Sequence, residues 1–147
     1  MTDIPLAARV YVLLVGISGF VLLGAALVTE PLPNAPAAFV LLFLLTVGGE
    51  FHLIKAPLGS EGVELSFSMA FAFSLLIAFG APAAALASAT ASLLGDAIAR
   101  KSWWKALFNA GQYVLVSFAA GAVFHAVAGV RHVSLAHAFS PPRDGVA

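Results

Sequence analysis

Two carboxylates, Glu50 and Asp96, stand just inside the ends of long apolar runs. An ionised group there is costly and must face protein, water or a partner. Glu50 follows the pair Gly48 and Gly49, and Asp96 follows Gly95; Asn109 and Gln112 approach the same level from the next run, behind Trp103, Trp104 and Lys105, with Tyr113 beside them as a further candidate. Carboxylates, amides and a phenol brought to one depth would make a hydrogen-bonded polar site for a ligand or a signal. Each acid also has a local reading: Asp96 can pair with Arg100 at i, i+4, and Glu50 can snorkel or pair with Lys55. His52 reads as interfacial, because no second His or carboxylate stands at a zinc-like spacing from it. The sequence holds no Cys, HExxH, GxSxG, P-loop or Gly-rich dinucleotide turn. No acid, base and nucleophile set can be assembled, so the expectation is no enzyme in this chain, no metal and no cofactor.

The elements that must position these groups are helices in a bilayer. No charge interrupts Val10 to Thr29, Pro31 to Gly49, Leu65 to Gly95 or Ala106 to Val130. At 1.5 Å per residue such runs can reach across about 30 Å of hydrocarbon. With 61% hydrophobic and 10% charged residues and a mean hydropathy of +1.01, the chain has too little polar surface to cover itself in water. Seven Lys and Arg balance seven Asp and Glu, which removes the basic surplus that nucleic-acid binding needs. The first run is longer than a secretory h-region and reads as a retained helix. Prolines 31, 33 and 36 break the chain after it. Leu65 to Gly95 as one helix would be about 46 Å long, so it must break at Gly80-Ala81-Pro82.

The expected fold is therefore all-α, a polytopic transmembrane bundle of about five helices near 6–28, 36–54, 63–80, 82–100 and 104–129. Helices 3 and 4 are short enough to form a tilted or re-entrant hairpin. Residues 130–147 read as a polar tail or loop ahead of a further helix. Arg9, Lys55, Arg100, Lys101 and Lys105 fall on one side, and the opposite short loops 29–36 and 80–82 hold no Lys or Arg, which by the positive-inside rule makes the N-terminal side cytoplasmic. Two stripes at four-residue spacing, Ala84, Ser88, Ser92, Asp96 and Asn109, Tyr113, Ser117, Gly121, His125, should meet each other or share a cavity. Phe67, Phe71 and Phe73 suit a lipid-facing or core surface, Leu75 is expected on a tolerant surface, and Gly16, Gly19 and Gly24 make no strict GxxxG.

The stretch Glu64-Leu-Ser-Phe-Ser through Leu94-Gly-Asp96, then Arg100-Lys-Ser-Trp-Trp-Lys-Ala-Leu-Phe-Asn109-Ala-Gly-Gln-Tyr113, resembles the N-terminal multi-pass membrane region that precedes GGDEF or HD-GYP domains in bacterial cyclic-di-GMP signalling proteins. The likeness covers about residues 37 to 125. It implies a signal-input domain in the bacterial inner membrane that regulates a cytoplasmic cyclase or phosphodiesterase domain absent here, with Glu50, Asp96, Trp104 and Asn109 at family-like positions. Such regions are similar in outline to the substrate-binding subunits of vitamin uptake transporters, which is the alternative function. The expected partners are the lipid bilayer, a small-molecule ligand and, through the small-residue faces, a second copy in a homodimer.

Overall fold

The computed structural model describes residues 5–30, 37–51, 53–56 and 63–128. The tail 130–147, the Pro-rich break at 31–36 and His52 lie outside them. Five helices and one two-stranded hairpin follow in the order α1 Leu6–Thr29, α2 Ala37–Glu50, β1 Leu53–Ala56, β2 Val63–Ser66, α3 Ser68–Phe79, α4 Ala81–Ile98 and α5 Trp103–Ala128. The architecture is an all-α helix bundle.

The helical boundaries differ from expectation in one region. Helix 2 stops at Glu50 and not near 54, where Phe51 N–H turns back to the Gly48 carbonyl at 3.1 Å, and helix 3 starts at Ser68 and not at 63. Between them β1 and β2 pair antiparallel, with Leu53 opposite Ser66 and Lys55 opposite Glu64. A two-stranded ladder leaves open edges that hydrocarbon cannot satisfy, so this hairpin belongs at an aqueous surface. The trimming leaves α2 about 21 Å and α3 about 18 Å long, short of a hydrocarbon core. Three helices, α1, α4 and α5, are long and apolar enough to cross a membrane.

Alanine and serine decide the packing. The buried side of α4 is Ala83, Ala84, Ala85, Ala87, Ser88, Ala89, Ala91 and Ser92, so neighbouring backbones approach it closely from several directions. α4 is thus the central post, touching α5, α3, α2 and α1. On one flank Leu23 of α1 joins Ala85, Ala89, Ala110 and Val114. On the other, Leu75 and Leu76 pack with Ala84 and Ala87 under Phe39, Phe43 and Phe79 of the α2–α3 pair. Leu75 is completely buried there, which corrects its expected place on a tolerant surface. On the other side of α1, large apolar side chains such as Leu14, Ile17 and Val21 point outward. Small residues inward and large apolar residues outward is the polarity of a bundle immersed in lipid.

Two glycine features set the helix geometry. A Cβ on Gly19 would stand 2.6 Å from the Gly111 Cα, and one on Gly111 would stand 2.7 Å from the Gly16 Cα, so α1 and α5 touch backbone to backbone. Gly16, Gly19 and Gly24 carried only a weak hint of this close packing, because the pair on α1 is spaced by three and its partner lies on another helix. Gly80 alone links α3 to α4 at φ 87 and ψ 175, a conformation open essentially only to glycine, and Pro82 then sits in the first turn of α4. Helices 3 and 4 therefore form the expected hairpin.

Candidate functional site

The C-terminus of α4 builds the centre of the site. Lys101 N–H reaches the Asp96 carbonyl at 2.9 Å and Arg100 N–H reaches the Ala97 carbonyl at 3.1 Å, the pair of reversed bonds of a Schellman stop. The residue that must turn left-handed is Arg100, at φ 51, where a glycine is usual. That turn swings the arginine off the helix line and folds Lys101 back. Lys101 Nζ donates to Asp96 Oδ1 at 2.5 Å, while Asn109 Nδ2 donates to Asp96 Oδ2 at 2.8 Å. Asp96 is therefore paired with Lys101 and not with Arg100 as the i, i+4 rule suggested. One buried carboxylate ties the end of α4, the following turn and the second helical turn of α5 together.

Glu50 arrives from the end of α2. Ser68 Oγ, at the start of α3, donates to Glu50 Oε2 at 2.7 Å. Gly95 lets the acid lie against α4: a Cβ there would stand 3.4 Å from Glu50 Cγ. Ser68 was not singled out in the sequence, where it is one hydroxyl among several at the head of an apolar run.

A cavity of about 380 Å³ opens between these groups. Glu50, Asp96, Asn109, Gln112 and Tyr113 all line it, joined by Lys101 and Ser92. Five of the six sequence-chosen positions thus meet at one site. Trp104 does not: it is outside the cavity lining, with the Lys105 ammonium 5.2 Å from its ring centroid. The two stripes resolve in favour of a shared cavity at their polar ends. Ser88, Ser92 and Asp96 line space between α3, α4 and α5, as do Asn109, Tyr113 and Ser117, whereas Gly121 packs on Ala81 at the far end.

The arrangement supplies acceptors, an ammonium and two-way hydroxyl and amide groups, enough to hold a polar group by hydrogen bonds and charge. Among the described residues no group of three His, Asp or Glu stands close enough to hold a metal ion. The chain matches no protein-family model, no curated protein and no solved structure.

Proposed function

We propose that the chain is a membrane-embedded signal-input domain, of the kind that precedes GGDEF or HD-GYP output domains, lying in a bacterial inner membrane with its N-terminus in the cytoplasm. The observation that carries the reading is the cavity in which Asp96 is shared by Lys101 and Asn109 while Glu50 and Gln112 face the same space. A small molecule bound there competes for the hydrogen bonds that fasten α5 to the end of α4. If its affinity differs between the fastened and loosened arrangements, occupancy shifts the balance between them and moves α5 relative to α4. The resemblance around Gly95-Asp96 and Trp104 to Asn109 supports an output domain as the receiver of that motion.

The test is to make Asn109→Leu and Gln112→Leu in the full-length protein and to measure cyclic-di-GMP synthesis or breakdown in membranes. Both variants should change the output at unchanged protein level. Unchanged output in both, or a full-length reading frame with no GGDEF or HD-GYP domain but an uptake transporter encoded beside it, would replace the sensor reading by substrate capture for transport.

A further inference from the structure

We infer that the turn joining α4 to α5 binds the headgroup of an anionic phospholipid, with Arg100 and Lys105 taking its phosphate and Trp103 seated at the headgroup boundary. Such a site requires only a bundle in a bilayer and is separate from the polar cavity and from any signalling role. Arg100, Lys101 and Lys105 crowd one short turn, and the sequence places no Asp or Glu between Asp96 and Asp144. Lys101 is engaged by Asp96. Arg100 and Lys105 are exposed, and among the described residues neither has a carboxylate partner. Lys105 has instead the ring of Trp104, 5.2 Å from its ammonium. The chain from Arg100 to Lys105 can span at most about 18 Å, and less here because Trp103 to Lys105 is already helical, so both long side chains can reach one headgroup. A guanidinium grips a phosphate through paired N–H donors, and an ammonium serves it as a point charge.

The patch lies where a phospholipid presents that phosphate. Ile98 in the last turn of α4 and Leu94 one turn before it are exposed apolar side chains at i, i+4, in position for acyl chains. Trp103 opens α5 at 67% exposure, an amphipathic ring of the kind that settles between headgroup and hydrocarbon. Apolar side chains on the helix, an indole at the boundary and cations in the turn repeat the order of tail, glycerol and phosphate in a lipid. The backbone adds a separate sign. Arg100 takes φ 51, where a Cβ is strained and glycine is usual, yet an exposed arginine stands there without a carboxylate among the described residues. Strain of this kind is kept where the side chain is used. The whole chain is formally neutral, so it has no net charge with which to attract anionic lipid, and the attraction is local to this turn.

Trp103 and Trp104 are the only tryptophans in the chain, so indole fluorescence reports on this turn alone. The full chain is placed in nanodiscs of equal parts phosphatidylcholine and phosphatidylglycerol, with bromine near the carboxyl end of the acyl chains of one lipid or of the other. Relative affinities from the quenching should favour phosphatidylglycerol by about threefold or more, within reach of one basic side chain at an anionic surface. Arg100→Gln combined with Lys105→Gln should equalise the two lipids, while Arg100→Lys, which keeps the charge, should retain the preference. Lys55→Gln, which removes a cation from β1, should leave it unchanged. Equal quenching by the two lipids in the native chain overturns the proposal whatever the variants do. Equal loss in Lys55→Gln and in the double variant would make the attraction a field of the whole end, and a preference that survives the double variant would take Arg100 and Lys105 out of it; either overturns the site. If glycerol phosphate, the headgroup without its chains, abolishes the preference at the lipid's own concentration, the patch is a soluble-anion site and the phospholipid is not its occupant.

Discussion

Asp96 shows how one buried charge sets unequal costs on its partners. Its side chain is 6% exposed, while that of Lys101 is 47% exposed. Judged by its own exposure Lys101 should matter little, since half-exposed ion pairs contribute about 0–1 kcal/mol. Its removal, however, leaves a buried carboxylate with Asn109 Nδ2, at 2.8 Å, as its remaining side-chain donor among the described residues. Lys101→Met is therefore expected to cost roughly 1–3 kcal/mol, the range for stranding a buried acceptor. Adding Asp96→Leu should recover part of that loss, because the stranded charge goes with it. Thermal unfolding in detergent across the single and double variants checks this; a double variant equal to the sum of the singles would mean that the two residues do not interact. The neighbouring Arg100 carries strain of a different kind. A left-handed residue with a Cβ costs about 1–2 kcal/mol more than a right-handed one. Arg100→Gly should accordingly raise stability by up to about 1 kcal/mol and Arg100→Val should lower it. The same unfolding measurement decides, and a loss with glycine would show that the guanidinium holds the turn. Sequence reasoning paired Asp96 with Arg100 because the i, i+4 rule assumes that the helix continues. It stops at Ile98, and a positive φ at an arginine has no sequence signature.

At the scale of elements, the most sensitive contact is the one between α1 and α5. Gly19 and Gly111 are so close that any side chain on either must part the helices. Gly19→Ala is expected to cost about 1–3 kcal/mol, as overpacking does, although alanine is the better helix former. Gly24 lies on the same helix with nothing within 4 Å of a Cβ placed there. Gly24→Ala should be neutral or stabilising by up to about 1 kcal/mol. Equal behaviour of the two variants in detergent melts would show that α1 does not depend on that contact. The helices themselves were legible because charges, prolines and Gly80 sit at their ends. The β1–β2 hairpin was not, since Leu53–Ala56 and Val63–Ser66 are short apolar segments continuous with helical runs, and periodicity over four residues cannot separate strand from helix. The cavity was legible in its parts, from polar residues at one depth.

The whole molecule orders its ends by charge. Gly16 lies against Leu107, Asp96 against Asn109, Glu50 against Ser68 and Gly121 against Ala81, so successive helices alternate in direction and α1 runs parallel to α5. This alternation brings Arg9, Arg100, Lys101 and Lys105 to one end of the bundle, together with the polar cavity, and leaves Glu30 and Gly80 at the other. In the orientation proposed above, the end that carries these cations lies in the cytoplasm, as the positive-inside rule expects. The chain contains no cysteine, so a single introduced cysteine is the sole site for a thiol reagent. Ser102 and Glu30 are exposed and lie at opposite ends. On intact cells a membrane-impermeant maleimide should label Glu30→Cys and spare Ser102→Cys until the membrane is opened. The reverse pattern would place the cavity mouth outside the cell, and an output domain attached to this bundle could then not receive its signal from the cavity end of α5.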